Sequence, residues 1–555
     1  MSDSIKHECA VALLVLKTRG AVDGATKLSL LLEKQHNRGQ DGAGVVTLSS
    51  CPETGKPAYN ELKSASDTPL ADLLGQIARR RKLPEESIFL GHLRYATYGK
   101  GDVGFCHPFV HKSARLSRTL FLAGNFNLTN THELFDAYVE MGKFPESEAD
   151  GYLICEWLAS TMLKVEMESD ELGDVYQKPD RGQVIAEALK RLLPKLDGAF
   201  TLCGMTGDGW SFAVRDSHGI RPGYCLVNDD VAVVASERPA IQAAFNCMTE
   251  DVKEMEPGVA MIVSPTGVVT HERVLPVDVR RGCVFERIYF SRANDAEIHA
   301  ERKALGAALA KPILEAVDSD FEHTFFSYIP NSAQVAFHGL LQALWTEGLA
   351  EGRPVRFGQI AVKDAKFRTF IADAAARREF YQHVYDVTYG LIEPGVDTLV
   401  VLDDSIVRGN TMKNAMLPML DRLGPKRIIV ASSAPPILFP DCYGIDMSTL
   451  GELVAFRALV NLAGEGTITR TTDLRKLAAR FTREELSAEI ARLITPEGIK
   501  AKVDVVFQSV EDLHKACPNT TGDWYFTGNY PTPGGERVLR RSLENYLAHR
   551  EGRSY

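Results

Sequence analysis

Apolar and polar residues alternate in two different rhythms along this chain. Up to about residue 275 the apolar positions come in short β-like runs: "AVALLVL", "GVVTL", "SIFLGHLRYAT", "TLFLAGNF", "AFTLCGMT", "WSFAVRD", "VAVVASE" and "VAMIVSP". Several are followed by Gly, Asp or Asn turn signals, and helical stretches lie between them. The pattern predicts layered α and β structure with a largely antiparallel sheet. The first run is apolar for eight consecutive residues, Cys9 to Leu16, so it predicts a strand buried on both faces. Near residue 280 the rhythm changes. "AERKALGAALAKPILEAV" and "AQVAFHGLLQALWTEGL" have helical period, while "HTFFSYIP", "DTLVVLDD" and "RIIVASSAPP" read as strands between helices. Strand and helix in turn predict parallel βαβ units. After residue 470 the chain is charged and helical, and it ends in a turn-rich tail and a last helix.

Composition narrows the field. With 555 residues, 45% hydrophobic and 25% charged, the chain is too long for one core and ordinary for a globular protein. No apolar run approaches the roughly 18 residues of a membrane span. The opening "MSDSIKHE" lacks the basic and apolar regions of a secretory signal. Ten irregularly spaced cysteines point to reduced thiols and a cytoplasmic location. A net charge of −10 argues against nucleic-acid partners, so an anionic ligand needs a local site.

The segment "TLVVLDDSIVRGNTMKNAMLPMLDRLG" supplies such a site. A buried strand delivers Asp403 and Asp404 at its C-terminal end, where ligands of open α/β sheets sit. Ser405, Gly409, Asn410 and Thr411 then lead into a helix whose first amides can cradle an anion. Two carboxylates beside that cradle suit ribose hydroxyls and hydrated Mg²⁺. Pro418 lies inside the helical pattern, where a kink or helix break is expected. "DD" and "G" alone describe an ordinary strand-to-helix turn. The whole string "VLDDSIVRGNT" resembles the phosphoribosyl pyrophosphate (PRPP) signature of type I phosphoribosyltransferases. The resemblance implies that Ser405, Arg408, Gly409, Asn410 and Thr411 hold PRPP, and that Asp403 and Asp404 hold ribose and metal. "YIPNSA" resembles the pyrophosphate loop of the same family, with Ser332 as a PRPP and metal contact. "KFRTFI" resembles its flexible loop, with Arg368 set to neutralise pyrophosphate.

Four strings in the first half form a second set: "HECAVAL", "QHNRGQDGAG", "GHLRYATYG" and "AGNFNLTN", followed by "EADGYL". Taken singly, Cys9 is a small core residue, Arg94 an ion pair and Asn125 a turn cap. In this order they resemble the class II glutamine amidotransferases, which are N-terminal-nucleophile hydrolases. The implied roles are Cys9 as nucleophile, Asn125 and the Phe126 N–H as oxyanion hole, and Arg94 and Asp150 as the clamp for glutamine. Arg38 and Gly39 are expected in the wall of that pocket. A terminal Cys carries its own α-amine, with a pKa of about 7.7–8.0, as base. Residues 1–8 therefore read as a propeptide.

Both sets in one chain, together with "VRDSHGIRP", "VFERIYFSR" and "FTGNYPT", are similar to the glutamine phosphoribosylpyrophosphate amidotransferase family. The resemblance implies a four-layer αββα N-terminal domain over 9–276, a parallel-sheet phosphoribosyltransferase domain over 277–470, and a helical extension and tail over 471–555. It also implies glutamine and PRPP as substrates, purine nucleotides as feedback inhibitors, Mg²⁺ with the pyrophosphate, an internal ammonia path and a homotetramer or dimer. Two departures stand out. Ala10 follows the nucleophile where the family has Gly, and "GNFNLTN" replaces "HNGNLTN", so Gly124 stands in place of His and Phe126 in place of Gly. Some members carry an iron–sulfur cluster. Here Gly522 and Tyr525 occupy two cysteine positions and Cys442 is displaced by one residue, so no cluster is expected although Cys283 aligns. Two other functions share parts of this pattern. A sugar-phosphate amidotransferase would lack "VLDDSIVRGNT"; a PRPP-binding regulatory protein would have an inactive glutaminase half.

Overall fold

In the computed structural model, all eight apolar runs of the first half lie in strands, and they form two antiparallel sheets. The structure describes residues 9–18, 20–49, 58–83, 85–96, 100–171, 179–276, 278–346, 349–363, 385–464, 466–550 and 552. The proposed propeptide and Arg368 lie outside the described residues.

The first sheet has seven strands. Its centre is Ala10–Leu16, paired on one side with Val231–Ala235 and on the other with Glu86–Arg94. The second has six, with Leu120–Leu128 paired to Gly198–Thr206 along its whole length. Strand alternation explains the layers. Val11, Leu13 and Val15 pack with Phe121, Ala123, Cys203 and Met205 of the facing sheet. Ala10, Ala12 and Leu14 turn the other way, onto Leu28, Leu31 and Leu32 of the Gly24–Lys34 helix. On the far side, Leu120, Leu122 and Phe200 meet Leu153, Leu158 and Leu189 of the helices Asp150–Glu171 and Arg181–Leu192. The result is the expected four-layer αββα sandwich. The opening strand is apolar throughout because a sheet covers one face and a helix the other.

The second half holds a five-stranded, all-parallel sheet in the order Arg356–Phe357, Thr324–Tyr328, Thr398–Asp403, Arg427–Ser432 and Lys502–Phe507. Its last strand comes from the segment read as a helical extension. Residues beyond 470 thus complete this sheet, and Ile490 and Ile494 of the Arg483–Ile494 helix join its core. Pro418 does not break its helix. A wider π turn over Met412–Met416 leads into the α-helical turn Leu417–Asp421, and the change of pitch accommodates the amide that proline lacks. Among the described residues, no helix is long and apolar enough to cross a membrane.

Candidate active sites

Parity along the strands brings the first set of residues together. Cys9 continues the inward-facing series Val11, Leu13, Val15, and Asn125 continues Phe121, Ala123. Ala10 pairs with Leu93, so the next step places Cys9 beside Arg94. All three side chains meet at one end of the gap between the sheets. Asp150 enters as the first residue of its helix. Cys9, Arg94, Asn125, Phe126 and Asp150 line one cavity of about 690 Å³. The cavity also touches Gly444, which belongs to the second half of the chain.

Cys9 is half-buried, and Tyr95 N–H donates to its Sγ at 3.4 Å. Burial pushes the thiol up to about 11, against that hydrogen bond and the charge of Arg94. A thiol so disposed is not a thiolate at neutral pH and needs a base. Asn125 is 3% exposed, and its Nδ2 is a buried donor with no partner among the described residues. An unpartnered buried amide beside a cysteine thiol in a cavity is the state expected of a donor reserved for a ligand. Phe126 lies within a strand, so its backbone is extended and carries none of the strain a left-handed residue would. Its N–H is available. Phe200, directly opposite, bonds Asp216 through both its N–H (3.1 Å) and its carbonyl (2.9 Å). The pair is therefore not hydrogen-bonded, and Phe126 N–H faces the strand's open edge.

Two residues of this set stand elsewhere. Arg38 is not among the residues lining the cavity. It is 1% exposed and bonds Glu237 at 2.7 Å and Glu286 at 2.5 Å. Burial disfavours its charge, but Glu286 and Glu237 more than offset that and raise its pKa. Arg38 thus ties the first half to the second instead of walling the pocket. Gly39 acts at one remove: a Cβ there would lie 2.5 Å from the Leu93 carbonyl carbon, so only glycine lets this loop lie against the backbone before Arg94. Asp41, in the same string, was given no role in the sequence. Its N–H donates to Arg94 O at 3.0 Å and its carboxylate accepts from Ala96 N–H at 3.1 Å, bracing the segment that presents Tyr95 N–H to the thiol.

The second set gathers at the C-terminal ends of the parallel strands. Asp403 ends its strand; Asp404 accepts from Ser405 Oγ at 2.8 Å and from Ser332 Oγ. The pyrophosphate-loop serine and the signature aspartate are therefore in direct contact. Burial raises both carboxyl pKa values, and for Asp403 the neighbouring charge of Asp404 adds to it. Such a pair favours a bound cation or hydroxyl donors. Among the described residues, no group of three or more His, Cys, Asp or Glu converges as a metal cage. Two hard carboxylate donors completed by substrate oxygens fit Mg²⁺. Gly409 has φ +79°, and a Cβ there would meet Ile494 Cγ2 at 2.7 Å. The signature loop thus requires glycine at this position. Arg408 departs from the expected role, with Nε on Glu452 at 2.8 Å and Nη2 on Asp446 O at 3.1 Å, anchoring the loop from behind. Asn410 and Thr411 form the first turn of the helix, closed by Lys413 N–H on Gly409 O at 2.9 Å, and the π turn Met412–Met416 continues it.

The residues at the cluster positions do not fit an iron–sulfur group. Cys283 Sγ lies 3.1 Å from the hydroxyl of buried Tyr525, whose ring packs at 4.9 Å on Phe285 and 4.7 Å on Trp524. The carbonyl of Cys442 accepts from Asn127 Nδ2 at 2.7 Å, joining the two halves.

No family model matches the chain. Among curated proteins it is similar to the amidophosphoribosyltransferase of Methanocaldococcus jannaschii, 30% identical over 450 residues, covering 77% of this chain and 83% of that protein. The amidophosphoribosyltransferase of Synechocystis is 30% identical over 537 residues, 93% of this chain and 90% of that one. Among solved structures, glutamine PRPP amidotransferase from B. subtilis complexed with ADP and GMP superposes with a TM-score of 0.67 at 25% identity, over 94% of this chain and 97% of that chain.

Proposed function

The chain belongs to the amidophosphoribosyltransferase family, and from that premise we propose which residues carry its two half-reactions. The reaction moves the amide nitrogen of glutamine to carbon 1 of PRPP. It yields 5-phosphoribosylamine, glutamate and pyrophosphate, in the first committed step of de novo purine synthesis.

In the first half-reaction Arg94 pairs with the α-carboxylate of glutamine and Asp150 with its α-ammonium. Removal of residues 1–8 frees the α-amine of Cys9, which takes the thiol proton. Sγ attacks the side-chain amide carbon, and the oxyanion accepts hydrogen bonds from Asn125 Nδ2 and Phe126 N–H. The amine returns its proton to the leaving nitrogen, the C–N bond breaks, and ammonia departs. Water then hydrolyses the thioester to glutamate.

In the second half-reaction ammonia attacks carbon 1 of PRPP as pyrophosphate leaves. The transition state is loose and cation-like, so positioning and charge neutralisation dominate. Asp403 and Asp404 hold the ribose, Ser332 contacts the pyrophosphate, and the Ser405–Thr411 loop takes the 5-phosphate; the family resemblance assigns Arg368, outside the described residues, to neutralising the leaving group. Arg408 serves by holding that loop in place. Asp403, Asp404 and Ser332 would hold Mg²⁺ together with the pyrophosphate, and the ion would supply positive charge to the leaving group.

One observation carries the reading: the cavity at Cys9 extends to Gly444 of the second half. It supports transfer of ammonia within the protein. Purine nucleotides as feedback inhibitors accord with the ADP and GMP in the B. subtilis complex. A cytoplasmic homotetramer or dimer completes the reading. A purely regulatory PRPP-binding protein is not favoured, because relatives at this identity and coverage carry the enzyme's name. The test is glutamate release with and without PRPP. PRPP-stimulated release is expected, and C9S should use ammonium salts but not glutamine. No release in either condition contradicts the bifunctional reading.

A further inference from the structure

Gly124, directly before the two proposed oxyanion donors, is held by imidazoles on both its backbone groups. Its N–H donates to His107 Nδ1 at 3.3 Å, and its carbonyl lies 3.0 Å from His92 Nε2. The two rings stack, with centroids 4.0 Å apart and planes 13° from parallel. Strand topology shows why such a clasp is needed. Along Leu120–Leu128, Gly198–Thr206 covers one side throughout, but Phe109–His111 covers the other only at Leu120–Leu122. Beyond that point the backbone groups on the open edge have no strand partner. Gly124 and Phe126 both face this edge, two residues apart. The imidazoles satisfy Gly124 and leave the next edge amide, Phe126 N–H, for substrate.

We propose that His107 and His92 are positioning residues of the glutaminase half, fixing the Gly124 peptide so that Asn125 Nδ2 and Phe126 N–H point at the developing oxyanion. The inference rests on the proposed roles of Asn125 and Phe126. It also accounts for the departure at position 124. A Cβ there would lie 2.6 Å from Leu202 Cδ2 and 3.0 Å from the Phe126 ring, so histidine does not fit beside Phe126. The imidazole comes instead from His107, whose ring centroid is 5.6 Å from that of Phe126. Burial holds His92 down to about 3 and His107 well below its usual value, with the charges of Arg94 and Lys63 acting in the same direction on His107. Both rings are therefore neutral at working pH: His107 Nδ1 accepts and His92 Nε2 donates.

The test compares H107L and H107Q with the parent protein. H107L removes the acceptor, so kcat for glutamine hydrolysis is expected to fall roughly ten- to hundredfold. The KM for glutamine should stay within about twofold, because binding is carried by other groups. Synthesis of 5-phosphoribosylamine from ammonium salts should be unchanged. H107Q, whose Oε1 can accept from Gly124 N–H, should recover most of kcat. Unchanged kcat in H107L, or a defect in KM alone, overturns the proposal. Should H107L lose the ammonium-dependent reaction as well, H107Q decides: recovered kcat upholds the clasp, and a kcat as low as that of H107L overturns it. A parent protein that releases no glutamate instead sinks the glutaminase reading itself.

Discussion

In the proposed oxyanion hole, Asn125 and Phe126 sit side by side on one strand yet would donate by different means, one through a side chain and one through the backbone. This difference decides what substitution does to each. Replacing Phe126 leaves a backbone N–H in place, so the departure from the family's glycine does not remove the donor. Replacing Asn125 removes its donor altogether. N125A should lower glutaminase kcat by roughly 10²–10³-fold, the cost of one lost oxyanion-hole donor, with a much smaller change in KM. Steady-state glutamate release checks it, and a KM-only effect would assign Asn125 to binding. That Cys9, Arg94, Asn125 and Asp150 belong together is legible in the sequence because each lies in a recognisable string, and all four line one cavity. Arg38 was misread for a physical reason. A buried arginine in a loop string looks the same whether it meets substrate or two carboxylates, and Glu237 and Glu286 lie 199 and 248 residues away. His107 was equally hidden, because nothing local ties it to a backbone amide 17 residues on.

Burial decides which elements the sequence reveals. Runs covered on both faces, such as Ala10–Leu16 and Thr398–Asp403, are continuous in apolar residues and easy to recognise. Lys502–Phe507 is an edge strand reading "KVDVVF", with two charges among its six residues, and charged helical text on its N-terminal side masked it. The signature loop belongs to this scale too, because its shape depends on the helix packed against it. Gly409 combines a left-handed backbone with the close approach of Ile494. G409V should strain the turn and push against that helix, abolishing PRPP binding while leaving PRPP-independent glutamate release intact. Isothermal titration with PRPP measures this, and wild-type affinity would show that the loop tolerates the side chain.

At the scale of the whole molecule, the two halves are joined by buried and partly buried polar contacts as well as by the shared cavity. Arg38 meets Glu286, Asn127 meets the Cys442 carbonyl, and Asp197 accepts from Thr532 Oγ1 at 2.6 Å. R38M strips the cation from two buried carboxylates and should cost about 3–5 kcal/mol of stability, read as a lowered midpoint in urea. An unchanged midpoint would contradict a stabilising role for this buried ion pair. In the proposed mechanism Cys9 works as a terminal residue whose own amine is the base. Its thiol, held near 11 by burial, requires one. N-terminal sequencing of protein whose PRPP-stimulated glutamate release has been measured tests this most directly. Active protein is expected to begin Cys9-Ala10-Val11. Active protein that still begins at Met1 would contradict it.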